Sequence, residues 1–273
     1  MIPLEIHHIG SLGPDVLLGA LALGAAQVLL LSAGSEASEY TAALRHELDF
    51  TGPVLDALGY GAGRLAIVEA SDPADLDTAL WTRERFAGIA PATFNLSNDK
   101  RRTLDFVLDH LARHAPIKID VISLPAHAPH GRIDVDRAAC TLCMACVGAC
   151  PANALADAQE TPQLRFVERN CIQCGLCVKT CPEEAISMIP RLNLKAEAKS
   201  AVVLNEAQPF DCIRCSKPFG TRSMIDNMLK RLAGHSMFSS PGALRGLQMC
   251  ADCRVLDMME SQDTASIADY PEA

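Results

Sequence analysis

"CTLCMACVGACP" (residues 140–151) and "CIQCGLCVKTCP" (residues 171–182) are the stretches on which the reading of this chain turns. Set one above the other, they repeat. Cys140, Cys143, Cys146 and Cys150 recur 31 residues later as Cys171, Cys174, Cys177 and Cys181. The likeness runs past the cysteines, since "CPANAL" aligns with "CPEEAI" and Pro151 with Pro182. A period held through ligands and flanking residues alike marks a duplicated unit. The 273 residues contain 12 cysteines, all between Cys140 and Cys253, and each lies three or four residues from another. That is the spacing of metal ligands, not of scattered disulfide staples.

Three cysteines at intervals of three can fold around one cube of iron and sulfide and take three of its iron corners. In a Cys-x2-Cys-x2-Cys-x3-Cys-Pro run the fourth cysteine serves the other cluster of two-cluster ferredoxins. On that rule Cys140, Cys143, Cys146 and Cys181 hold a first [4Fe–4S] cluster, and Cys171, Cys174, Cys177 and Cys150 a second. The prolines turn the chain out of the site, because they lack the N–H that would continue a helix. Ala145, Gly148, Ala149 and Gly175 leave space for an inorganic core. Zinc needs four ligands and gives no reason for this pattern to occur twice. Residues 130–192 resemble the bacterial 2[4Fe–4S] ferredoxins. The resemblance implies a pseudo-twofold arrangement of two β-hairpins and two helices, with clusters close enough for fast one-electron transfer. It also implies a low potential, tuned by hydrogen bonds and exposure.

The remaining four cysteines read differently. Cys212 and Cys215, in "DCIRCSKPFG" (211–220), are separated by 34 residues from Cys250 and Cys253. Four thiolates close a tetrahedral zinc site, and the same donors suit a third [4Fe–4S] cluster, a single iron or free thiols. Zinc is favoured, because neither pair carries a third cysteine or a following proline. "CIRCSKPF" also resembles a zinc knuckle, with Ser216 where glycine is usual, at the end of a region holding the expected strand "AVVLNE". The long polar spacer contains an expected helix, "SMIDNMLKRLAGH", whose Met224, Ile225, Met228, Leu229 and Leu232 form a packing face. Five acidic residues and no basic one follow Val255, the pattern of a mobile tail.

Residues 1–115 contain no cysteine and alternate between strand and helix patterns. Strands are expected at "LEIHHIG", 27–33 and "GRLAIVEA", and helices at 14–25, 36–48, 54–58 and "DPADLDTALWTRERF". A last helix, "NDKRRTLDFVLDHLARHA", has Asn98 as its expected cap. Apolar strands separated by helices imply a parallel sheet covered on both faces. The run Val16–Leu31 is 16 residues long and interrupted by Gln27, short of the roughly 20 residues that span a bilayer. It splits better into a helix and a strand. The proline-rich joint "LPAHAPHG" (124–131) is the expected boundary. The fold class is therefore α+β and multidomain, with an α/β parallel-sheet domain at 1–123, a 2[4Fe–4S] ferredoxin-like module at 124–192 and a small four-cysteine, zinc-ribbon-like region at 193–273.

The segment "ALALGAAQVLLLSAGSEASEY…LGYGAGRLAIVEASDPADL" resembles the small delta-type subunit of hydrogenase and heterodisulfide reductase complexes. In that family the loop after the strand carries cluster cysteines. Here Ala33 and Ser38 stand in their place, so the resemblance implies a docking or scaffold domain without a cluster. Two glycine-bearing loops permit the alternative of a flavin or NAD site in this domain. "GYGAG" (59–63) precedes a strand, however, whereas the dinucleotide fingerprint follows one. "SAGSEAS" after the apolar strand has the better topology for a phosphate. The histidines, including the strand residues His7 and His8 and the i, i+4 pair His110 and His114, read as structural.

Net charge is −9, against the basic surface that nucleic acid requires. The opening "MIPLEIHHIG" lacks the basic start and apolar core of a signal peptide, so a cytoplasmic protein is expected. No Ser/His/Asp set or paired carboxylate stands out. The expectation is a non-catalytic electron carrier, or a subunit of an oxidoreductase, with redox protein partners. A maturation factor with structural clusters is a further alternative.

Overall fold

Leucine-rich segments on either side of Gly24 form a helix and a strand. In the computed structural model, which describes residues 1–7, 9–34, 36–158, 161–238 and 241–260, α1 spans Pro14–Ala22 and β1 spans Val28–Ser32. Pro14 opens α1, where its missing N–H leaves no helical bond unmade. Among the described residues no helix is long and apolar enough to cross a membrane. The chain divides into two compact units, residues 1–131 with 190–198 and residues 132–189 with 199 onward.

In the first unit α2 (Ser38–Ala57) carries the chain from β1 to β2 (Leu65–Glu69), and the two strands pair in parallel from Val28↔Leu65 to Ser32↔Glu69. The sequence pattern predicts two helices where α2 runs unbroken through Pro53. Pro53 removes one backbone bond, but Phe50, Val54 and Leu55 around it are fully buried and hold the turn in place. The expected strand at "LEIHHIG" does not form. Among the described residues Ile2, Leu4 and Ile6 find no partner strand and stay exposed, and a 3-10 turn at Ile9–Ser11 follows; His8 lies outside the described residues. The parallel sheet of this unit is therefore β1 and β2 alone among the described residues. Helix α3 (Pro73–Trp81) is shorter than expected, and α4 (Lys100–His114) is capped by Asp99, which accepts from the Arg102 N–H at 2.9 Å, not by Asn98.

The core of this unit is aliphatic. Leu17, Leu18 and Leu21 of α1 pack with Leu104, Val107, Leu108 and Leu111 of α4, and Gly19 lets Val107 come close. Each such burial contributes about 1.5–3 kcal/mol. The buried Arg64 guanidinium ties three segments together, donating to the carbonyls of Tyr60, Ala26 and Ala87 while lying 4.9 Å from the Phe86 ring. A short strand, β3 (Val121–Ser123), pairs antiparallel with the far end of β7 (Ile186–Asn193).

The second unit repeats itself as its sequence does. Ile133 and Val135 of β4 (Gly131–Val135) have counterparts 31 residues on in Leu164 and Phe166 of β6 (Gln163–Phe166). Helix α5 starts at Ala145 and α6 at Leu176, while β5 starts at Leu155 and β7 at Ile186. The first strand of each repeat lies beside the last strand of the other, since β4 neighbours β7 and β5 pairs antiparallel with β6. Ile133, Leu164, Phe166, Leu155 and Ile186 form the shared core. Strand β8 (Val202–Glu206) extends the β5–β6 sheet, with a bulge between Leu164 and Arg165. The β9–β10 hairpin (Pro209–Asp211 and Pro218–Thr221), α7 (Arg222–Leu232), α8 (Pro241–Gly246) and α9 (Ala251–Glu260) complete the unit. The tail expected after Val255 is instead helical as far as Glu260, as part of α9, and its remainder from residue 261 lies outside the described residues. The whole is a mixed helix and sheet protein.

Candidate metal centres

Six residues of the duplicated runs have left-handed backbone, and they too are 31 residues apart in pairs. Leu142 (φ 56°), Met144 (φ 60°) and Asn153 (φ 48°) match Gln173 (φ 54°), Gly175 (φ 75°) and Glu184 (φ 51°). Five of the six carry side chains, for which this conformation costs roughly 1–2 kcal/mol each. Alternation of right- and left-handed residues turns successive N–H groups toward one concavity, a form suited to anionic groups including iron–sulfur clusters. At the end of each run a backbone N–H reaches the last cysteine. Ala154 donates to Cys150 Sγ at 3.3 Å and Ala185 to Cys181 Sγ at 3.4 Å.

Two hollows result. The first is lined by Cys140, Cys143, Cys146 and Cys181, the second by Cys171, Cys174, Cys177 and Cys150. Each thus gathers three cysteines of one run and the last of the other, because the crossed strand pairing sets the end of one repeat beside the start of its partner. The remaining lining is mostly apolar. Burial, with Cys140 and Cys143 close by, pushes the Cys146 thiol up to about 12, and burial with Cys171 nearby raises Cys177. A cationic iron core reverses that preference, because coordination deprotonates thiols outright. Eight thiols in two sets of four, with backbone N–H groups donating to Cys150 and Cys181, fit iron–sulfur chemistry.

Cys212 and Cys215 sit in the turn between β9 and β10, and Cys250 and Cys253 sit at the start of α9. The Ser216 N–H donates to the Cys212 carbonyl at 2.8 Å, and Ser216 itself is left-handed (φ 58°). Cys250 N–H donates to Cys212 Sγ at 3.3 Å. The four Sγ atoms lie within 4.8 Å of one another, and Cys215 Sγ stands 3.8 Å from Cys250 Sγ. Sulfurs held at about 2.3 Å from one tetrahedral ion are separated by about 3.8 Å. Thiolates on four different irons of a cube must stand farther apart. These four fit one metal ion. Burial opposes ionisation at Cys212, but N–H donors from Cys215, Cys250 and Arg214 outweigh it and bring the thiol down to about 6. Burial, then hydrogen bonds that the Cys253 thiol donates to its cysteine neighbours, pushes Cys253 up to about 12.

Several residues that frame the first hollow were not singled out from sequence. Asn205 Nδ2 donates to the Cys140 carbonyl at 3.4 Å, and Thr221 Oγ1 to the Thr141 carbonyl at 3.0 Å. Glu183, beside Cys181, binds Asn227 and Arg231 of α7. These partners lie 44 to 80 residues from what they touch, and no local pattern marks them.

Elsewhere, a cleft at the C-terminal ends of β1 and β2 is lined by Ser32, Ser38, Thr41, Arg45, Glu36, Glu69 and Asp75, among others. Arg45 pairs with Glu69, which leaves the cleft negative overall. His110 is buried and bonded through Nε2 to the Ala90 carbonyl, in keeping with a structural role.

Residues 139–186 match the family model described as a 4Fe-4S dicluster domain, which supports an iron–sulfur cofactor and an electron-transfer role for this segment. No curated protein matches the chain.

Proposed function

We propose that this chain is an electron-transfer protein, or the electron-transfer subunit of a larger oxidoreductase, that relays single electrons through two [4Fe–4S] clusters. Cys140, Cys143, Cys146 and Cys181 hold one cluster; Cys171, Cys174, Cys177 and Cys150 hold the other. The observation that carries the reading is the pair of hollows, each assembled from three cysteines of one run and the last of its repeat. When bound, such clusters supply one-electron redox chemistry, and the chain's own groups orient them and shield them from water.

Cys212, Cys215, Cys250 and Cys253 hold a structural zinc ion that closes the C-terminal region. The partners are redox proteins of the dehydrogenase, hydrogenase or heterodisulfide-reductase type, and the first unit serves as a docking scaffold. The negative cleft of that unit suits a dinucleotide poorly, because a pyrophosphate would meet Glu36, Glu69 and Asp75. Anaerobically purified protein tests the reading. The proposal expects dithionite to bleach the visible absorption reversibly and to generate two interacting paramagnetic centres per chain. Bound flavin, or reduction by NAD(P)H without a partner protein, would move the function to the first unit and sink the proposal.

A further inference from the structure

The two repeats match in backbone, and two of the positions at which their hollow linings differ change charge or hydrogen bonding. Ala152 and Glu183 each follow the proline of their run, 31 residues apart, and Ala152 lines the second hollow where Glu183 lines the first. Among the described residues lining either hollow, Glu183 is the one Asp, Glu, Lys or Arg. Its side chain is only 14% exposed, and its oxygens are taken by Asn227 Nδ2 at 2.7 Å and by Arg231. Arg231 is 57% exposed, so water screens the cation more than the carboxylate. Helix α7 is pinned at its start by Thr221, bonded to the Thr141 carbonyl of the first cysteine loop, which fixes the carboxylate in place.

The second difference works in the same direction. Leu142 in the first loop corresponds to Gln173 in the second, and Gln173 Nε2 donates to Cys171 Sγ at 3.4 Å. An added electron is penalised by a nearby anion and favoured by a hydrogen bond to a ligand sulfur. We propose that Glu183 and Gln173 hold the first cluster at a lower reduction potential than the second, so that an electron on the pair rests at Cys171, Cys174, Cys177 and Cys150. The proposal rests on the two-cluster reading above.

The test is a redox titration of the full chain followed by EPR, with the clusters told apart by the shifted cysteine β-proton signals in NMR. In the unaltered protein the second cluster reduces first. Glu183→Gln keeps the shape and the Asn227 contact, and it should shift the electron's partition toward the first cluster by tenfold or more, about 59 mV for a one-electron couple. Arg231→Gln should move the first cluster the opposite way, and Gln173→Leu should lower only the second. Asp226→Asn, at an exposed position of α7, should move neither. Reduction of the first cluster before the second, or unmoved potentials in both Glu183→Gln and Arg231→Gln, overturns the inference while leaving two clusters in place. Fewer than two clusters per chain in the unaltered protein overturns the underlying reading as well.

Discussion

Replacing Cys212 with serine removes one of four thiolates from a site that has little else to hold it together. The buried group there consists of Cys212, Met249, Cys250 and Cys253, with Phe219 packed against it. Met249 contributes on the order of 2 kcal/mol by burial, and the partly buried Phe219 adds no more. A structural zinc contributes about 10–16 kcal/mol in zinc-finger peptides at neutral pH, several times that sum. Cys212→Ser should therefore release the metal and open the β9–β10 hairpin and α9. The neighbouring core of Ile133, Leu155, Leu164, Phe166 and Ile186 is built from other residues and should stay closed. Metal analysis combined with hydrogen exchange reads both consequences. Zinc should fall from one per chain to near zero, and amide protection should drop at 209–221 and 247–260, with iron unchanged. Loss of about four irons with no zinc present at the outset would mean that the site holds a cluster. Unchanged protection would refute the claim that the metal organises this region.

Other substitutions probe separate links. Cys150→Ser should remove the cluster held by Cys171, Cys174 and Cys177 and spare its partner, as counted by iron and EPR; the opposite pattern would mean that each run serves its own cluster. Ser216→Gly relieves a left-handed serine and should stabilise the C-terminal four-cysteine region by roughly 0.5–1 kcal/mol in denaturant titrations of the metal-bound protein. Glu47 carries a raised pKa from burial, then from Asp15. Its ionised form is thus disfavoured in the folded state, a cost that is absent below the unfolded carboxyl range and complete above the raised value. Glu47→Gln should raise the melting temperature at pH 7, with the gap closing by about pH 4.

The cysteine runs were legible because their period is carried by ligands, prolines and small residues together, and the same period of 31 reappears in strands, helices and left-handed residues. Strand β1 and helix α4 were legible from apolar periodicity. The opening "LEIHHIG" was not, since its alternation satisfies a strand pattern but no partner strand lies beside it among the described residues. Helix α2 overrode Pro53 through burial that only the tertiary packing supplies. Glu183, Asn227 and Arg231 read as ordinary surface polar residues until α7 is folded back onto the cysteine loop. Arg64 likewise gave no sign of the three carbonyls it gathers. Long-range partners of polar groups were the least legible feature, because nothing local encodes them.

The central claim is that two clusters share eight cysteines and exchange electrons one at a time. Iron, sulfide and electron counts on one anaerobic sample test it most directly. Eight irons and eight sulfides per chain, with two electrons taken up and returned reversibly, is the expected result. Four or fewer irons, or clusters that reduction destroys, would contradict it.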